Sequence, residues 1–582
     1  MTSQPRPQGT QQETSAGCPV GGRIPPPPES RNYFTMPNGC PVEHPLLAER
    51  VDKKVNNSRY GSQLIQDLNT VESVVHVSRE RIPERVVHAK GVGVFGEFET
   101  TNQDWIKKYT DANFLQPDSH GKPKKTRLLS RFSTIAGESG YPDTVRDGKG
   151  CAFKLYTEEG NLDWVFLNPE VFNIRDPAKF ASLVHAKKRD PATNLLDANM
   201  TWDFFNNNIE VYNALMRNLT DEGTPSSYSR LLIASINTYT FTKKKNDTEW
   251  DHHLVRIKML PDPPIDPERD YFTLDEATAN VGKDPDYLTR RLYEETQNGP
   301  HPTWKVYAQI LDPAKTSIDV FDATKVVPET DCPWTEFGKI TLNEVPQNYF
   351  TQIEQAAFTP ANIVPGWDIS PDPLLQIRLL SYGDSQRYRL GANHDQLPPN
   401  KACSYVYDPT RRNGAYNMTN YGHVPNYLGS VLKTLKTPDH YNISYLKWQG
   451  EVMRYRSTVE DVDYKQCREH WDTLDKRMKW HFIYNLGSSL SPATKPVQHE
   501  TVQIFGKIWS DKYGQKDKNN INWKQELEKE LARREKINKD LGKKPGLVPG
   551  GEKGTPHYIP GTVPDLSTEV GNPYKRLDLN LN

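Results

Sequence analysis

The sequence predicts an α+β fold: an antiparallel sheet, open or closed into a β-barrel, followed by a loop-rich segment that wraps it and by helices near the C-terminus. Three observations carry this. Alternating β-branched and aromatic runs recur between residues 152 and 311. Pro and Asn crowd the stretch after 330, where only short helical patterns survive. Residues 523–541 read as a charged helix with glycine at 542, where a helix stop is expected.

Taken in order, residues 1–32 carry Gln, Thr, Ser, Gly and the run Pro25–Pro28, too little apolar surface to offset the entropy of ordering, so a disordered tail is expected. Residues 33–87 are polar with scattered apolar side chains, the pattern of an arm lying across another surface, a neighbouring subunit among them. The sheet region is expected over 88–330. Within it Ala152–Tyr156 alternates, Glu159-Gly160-Asn161 turns, and Leu162–Phe166 alternates back, a hairpin pattern. Ile236–Thr242, Leu254–Met259 and Trp304–Leu311 add further strands. Residues 331–450 form the expected wrapping segment, with short helices at Phe350–Phe358 and Leu374–Tyr382, and 451–541 a helical domain. The Gly- and Pro-rich 542–582 reads as a second tail.

A chain of 582 residues is large enough to bury a cofactor. Lys and Arg number 73 against 74 Asp and Glu, which excludes the strong field of a nucleic-acid or anionic-membrane binder. Nowhere do about 18 apolar residues run together, and the polar, Pro-rich N-terminus lacks the basic-then-apolar pattern of a leader, so a soluble, non-secreted protein is expected. The six cysteines form no CxxC pair and no zinc spacing, so free thiols in a reducing compartment are expected.

Two strings carry chemistry. In Arg79–Gly91 (RERIPERVVHAKG), His88 follows two β-branched residues at the start of the sheet region. A lone histidine there is more often a hydrogen-bonded structural residue than an acid–base group. In the string from Leu375 to Tyr382, Arg378 and Tyr382 are four apart, so a helix brings a guanidinium beside a phenol. A fixed cation favours the phenolate, the form that can bind iron(III); plain surface packing is the commoner meaning of the spacing.

Together the strings resemble the haem catalases. That family reads RERIPERVVHAKG at one site and RLFxYxDxxRxRLG at the other, and the second stands here as Arg378–Gly391. Further matches are Arg131–Glu138, Asp143–Asp147, Phe172–Asp176 and Lys188–Pro191, so the resemblance spans about residues 33–510. It implies an antiparallel β-barrel haem core, a homo-oligomer with exchanged arms (tetramer or dimer), and hydrogen peroxide as substrate. It implies Tyr382 as the iron ligand, Arg378 as the residue that keeps it ionised, and His88 with Asn168 as the pair acting on peroxide, with Ser133 holding the histidine's other nitrogen. Arg85, Arg131 and Arg389 match the haem-carboxylate partners, and Phe180 an aromatic stacked on the haem.

Departures accompany the matches. The family's Gly-Asn-Asn-Thr-Pro stands as Phe166-Leu167-Asn168-Pro169-Glu170, in which Asn168 is expected to keep the amide in altered surroundings. Asn173 replaces an expected phenylalanine, Tyr239 a histidine behind the proximal arginine, and Gln386 another proximal histidine. These changes keep open an alternative, a catalase-like oxidase of fungal specialised metabolism, of the chanoclavine-synthase kind, acting on an organic substrate. The family's NADPH site is altered too: Lys258 and Trp304 match, but Asn213, Arg217, Glu222 and Arg256 stand where other contacts are expected, and Trp304 reads equally well as core. Leu579–Asn582 is not an SKL-type address, so the cytoplasm is expected, the peroxisome only through another signal.

Overall fold

The computed structural model describes residues 33–51, 61–246, 249–408, 410–419, 424–432, 450–455, 457–513 and 521–540; the expected tails at 1–32 and 542–582 lie outside them. The described strands form one antiparallel sheet: β1 (Gly91–Thr100), β2 (Lys125–Thr134), β3 (Lys149–Thr157), β4 (Gly160–Asn168), β5 (Ile233–Ala234), β6 (Tyr239–Lys244), β7 (Trp250–Pro261), β8 (Thr303–Leu311), β9 (Trp334–Glu344) and β10 (Trp367–Asp368). Their order is β10-β6-β7-β5-β4-β3-β2-β1-β9-β8, and β7 also pairs with β8. That pairing closes the run from β7 to β8 into a barrel and leaves β6 and β10 as an extension, so the barrel has no free edge.

Alternation along the strands fills the interior. Val92, Val94 and Phe98 of β1 meet Phe132, Phe153, Trp164, Phe166, Trp304 and Phe337, all essentially without solvent contact. In the β3–β4 hairpin Thr157 pairs with Gly160, so the turn is Glu158-Glu159, one residue earlier than the sequence suggests. Gly160 sits at φ +139°, a value glycine takes without cost, and it opens β4 rather than the turn.

The expected sheet boundary at 330 falls short. Trp334–Glu344 pairs with both β1 and β8 and contributes Phe337, Ile340 and Leu342 to the core. Ile236, expected in a strand, instead has φ +51°, and β6 starts at Tyr239. In the wrapping segment Phe350–Glu354 is a single π-helical turn, shorter than expected, whereas Pro373–Leu390 is a helix of 18 residues. Asp372 caps that helix by accepting from the Leu374 and Leu375 amides at 2.9 and 3.1 Å, proline fills its first position, and Gly391 at φ +104° ends it.

The chain divides into two compact units, Met1–Pro177 with Gly223–Arg456, and Ala178–Glu222 with Ser457–Asn582. The expected continuous stretch 88–330 is thus interrupted. Helices Phe180–Lys187, Ala198–Asn206 and Tyr212–Asn218 join helices Asp461–Thr473, Lys476–Leu490, Lys495–Ile508 and Trp523–Asp540. Long-range aromatic contacts hold this second unit, among them Tyr212–Phe505 at 5.2 Å and Trp471–Trp523 at 5.0 Å. In the arm, Phe34, Leu46 and Ile65 are exposed and the helix Leu68–Val77 buries no residue. Among the described cysteines Cys40, Cys151, Cys332 and Cys467 are in no disulfide, but Cys403 is disulfide-bonded, against the expectation of thiols throughout.

Candidate active site

His88 occupies the turn that feeds β1, at φ +65°, where a non-glycine residue persists only if its surroundings over-determine it. They do: its amide donates to Ile135 O at 2.9 Å and its carbonyl accepts from Arg131 Nη1 at 2.8 Å. The ring's Nδ1 lies 3.0 Å from Ser133 Oγ and 3.1 Å from the Thr134 carbonyl. A carbonyl can only accept, so the tautomer that fits carries its proton on Nδ1 and leaves Nε2 with a lone pair. Burial, followed by the nearby Arg131 cation, pushes the imidazole pKa down to about 4, so the ring is neutral near pH 7. Space for it exists because residue 150 is glycine: a Cβ there would fall 2.4 Å from His88 Nδ1 and 2.6 Å from Ser133 Oγ.

The register assigns the neighbours. Gly150 pairs with Ser133 on one side and Leu167 on the other, and directly paired residues share a face, so Leu167 turns toward His88. Asn168, the next residue, turns the opposite way. It pairs with Lys149, and its Nδ2 donates to Leu232 O at 2.8 Å. The expectation that Asn168 partners His88 is therefore corrected by the two-residue period of β4. Of the two asparagines in the family's pattern this chain keeps the second, and the first position, the one on the histidine's face, holds Leu167.

One step along the same face, Ala152 pairs with Val165, and Tyr382 packs in the cluster that contains both. Arg378 Nη2 donates to the Tyr382 oxygen at 3.2 Å and to Val165 O at 2.9 Å, with its guanidinium carbon 5.0 Å from the Tyr382 ring centre. Behind it, Arg378 Nη1 donates to Asn237 Oδ1, and Asn237 Nδ2 donates to Asp372 at 2.8 Å. Asn237 thus links the cation beside Tyr382 to the carboxylate that caps the helix, a relay the sequence reading missed; only the Asp-Pro start at 372–373 signalled any part of it. Tyr239 is buried nearby, its hydroxyl without a hydrogen-bond partner, its pKa raised to about 12 by burial with Arg378 opposing.

Arg85, Arg131 and Arg389 lie within electrostatic reach of one another; after burial, their mutual repulsion further lowers the pKa of Arg85 and of Arg389. One carboxylate, Glu354, serves two of them, at 3.1 Å from Arg85 and 3.4 Å from Arg389. The rest of their bonding goes largely to the backbone carbonyls of Glu354, Ala356, His88 and Ala89, and Arg131 Nε is buried with no acceptor. Three cations against one carboxylate is a site that lacks negative charge.

Other expected residues are placed elsewhere. Phe180 opens a helix of the second unit and is 39 % exposed, so its place beside a haem rests on the resemblance. Asn173 is half-buried after β4, and Gln386 is buried and accepts from Arg389. Trp304 is core, its indole donating to Leu231 O, and Lys258 pairs with Glu170 over the Trp334 ring. Arg256 is consumed by carbonyls of Val320, Asp322 and Lys325. Asn213 and Arg217 bond each other in the second unit, where Glu222 also lies.

This donor set suits a haem. The arginine trio, with an orphaned buried donor, matches two anionic carboxylates, and a phenol held by an arginine matches an anionic oxygen ligand for ferric iron. Comparison with known proteins agrees. The catalase family model matches residues 35–434. Catalase A of Botryotinia fuckeliana is 42 % identical over 469 residues, 79 % of this chain and 94 % of that protein. The peroxisomal catalase of Candida tropicalis is 40 % identical over 489 residues, 82 % and 96 %. Among solved structures, a fungal catalase has a TM-score of 0.80 at 34 % identity, covering 89 % of this chain and 99 % of its own, and catalase A from Saccharomyces cerevisiae 0.78 at 37 %, covering 87 % and 99 %. With barrel, site and relatives in agreement, the chain belongs to the catalase family.

Proposed function

We propose that the protein is a haem-dependent oxidoreductase that disproportionates hydrogen peroxide, two molecules giving two of water and one of oxygen. The observation that supports this best is the shared face of β3 and β4. The Gly150–Leu167 pair lies under a neutral His88, and the adjacent Ala152–Val165 pair packs in the cluster that Tyr382 joins. Tyr382, whose oxygen accepts from Arg378, would hold the iron, and Arg85, Arg131 and Arg389 would hold the haem carboxylates. When bound, the haem supplies the iron and the electrons for opening the oxygen–oxygen bond. His88 Nε2 takes the proton from one peroxide oxygen and returns it to the other, which leaves as water; only a neutral ring can begin this cycle. Ser133 and the Thr134 carbonyl keep the tautomer that aims Nε2 outward. The exposed apolar residues of the arm support a homo-oligomer in which the arm crosses a second copy. NADPH finds little support, since Lys258 and Trp304 are engaged within the protein.

The test is an oxygen-electrode assay on the purified haem-loaded chain. One oxygen released per two peroxides consumed is expected, and no oxygen release from protein with full haem occupancy would overturn the reading.

A further inference from the structure

We infer that the space beside His88 selects a hydroperoxide whose second oxygen carries carbon, an alkyl or aryl hydroperoxide, over hydrogen peroxide; the inference rests on the peroxide chemistry proposed for this site. The residues that β3 and β4 turn to His88 are Gly150 and its partner Leu167, neither of which has a side chain that can donate or accept a hydrogen bond. Ser133 is on the same row, but its hydroxyl lies 3.0 Å from His88 Nδ1 and is taken by that ring. The nearest amide in sequence, Asn168, is on the opposite face and bonded to Leu232 O. It cannot exchange with Leu167 without a one-residue slip of β4, which would expel Phe166 and Trp164 from the barrel interior.

Hydrogen peroxide has two O–H groups. One meets His88 Nε2; the other, placed against Leu167, loses its water partners and gains none, which lowers affinity by about 10- to 100-fold. An organic hydroperoxide has only the O–H that His88 serves. Its second oxygen bears carbon, which Leu167 receives as apolar surface, with a gain of about fourfold in affinity per buried methylene. Proton transfer by His88 is the same for both, so Leu167 acts on selection and not on the acid–base step.

The experiment uses the full haem-loaded chain as wild type, Leu167→Asn and Leu167→Ala. Azide affinity is read by optical titration of the haem band, and the rates with hydrogen peroxide and with cumene hydroperoxide by stopped flow. Wild type should react faster with cumene hydroperoxide. Leu167→Asn should tighten azide about tenfold, through one new N–H to its far nitrogen, and shift the rate ratio at least about tenfold toward hydrogen peroxide. Leu167→Ala, which adds no donor, should keep the organic preference. Faster reaction of wild type with hydrogen peroxide, or no change in azide affinity and ratio in Leu167→Asn, overturns the inference. If neither peroxide reacts while azide still tightens in Leu167→Asn, the placement of Leu167 stands and the peroxide reading itself falls, taking the preference with it.

Discussion

Adding one methyl group at Gly150 should disable the site without replacing a reacting residue. The alanine Cβ would stand 2.4 Å from His88 Nδ1, 2.6 Å from Ser133 Oγ and 2.7 Å from His88 Cε1. Ordinary contacts of this kind need about 3.5 Å, so the imidazole must retreat by about 1 Å. It cannot do so freely, because Nδ1 is tied to Ser133 and Thr134 and the His88 backbone is held by Ile135 and Arg131. Overpacking of this size costs about 1–3 kcal/mol of stability. A displacement of about 1 Å in an acid–base group costs about 10²-fold in rate. The assay is stopped-flow reaction of the haem-loaded Gly150→Ala protein with peroxide, normalised to haem content. Gly140→Ala serves as the control, since a Cβ there meets nothing within 4 Å. A Gly150→Ala protein with full haem and a wild-type rate would refute the placement of His88.

Other outcomes follow from the same geometry. His88→Ala should retain haem yet react with peroxide about 10²-fold more slowly or worse in stopped flow. Because the imidazole pKa lies near 4, the wild-type rate should be flat from about pH 5 upward and fall as pH drops through about 4, where the ring gains the proton it must accept; a fall centred on pH 6.5 would contradict a buried neutral ring. Asn237→Ala should leave Arg378 and Asp372 each short of one partner, lowering stability on the order of 2 kcal/mol and weakening haem retention, read by denaturation and by haem absorbance per chain. Deleting residues 33–67 should lower the oligomeric state seen by light scattering; a full-length monomer would remove the arm's proposed role.

The barrel was legible where one face of a strand is core and the other is not. Trp304–Leu311 shows its pattern plainly, and the β3–β4 hairpin was misread only in its turn. β9 is hidden in the sequence because it starts directly after Pro328–Pro333, a stretch bounded by two prolines that reads as loop. The assignment of Ala178–Glu222 to the second unit depends on contacts such as Trp202 with Ser489, separated by hundreds of residues, which no local pattern reveals. At the site, His88, Tyr382 and the arginines stand in strings long enough to be matched as they are. Asn168 shows the limit of such matching: where two asparagines stand side by side in a pattern and one is lost, only strand register tells which face keeps the amide. Asn237 had no signal at all, since its role comes from bridging two side chains more than a hundred positions away.

The most direct test of the central claim is the absorption spectrum of purified Tyr382→Phe beside wild type. Wild type should carry haem with a ferric tyrosinate spectrum. Tyr382→Phe, which removes the oxygen that Arg378 holds, should lose the haem or the tyrosinate signature. An unchanged spectrum at unchanged haem content would contradict the account.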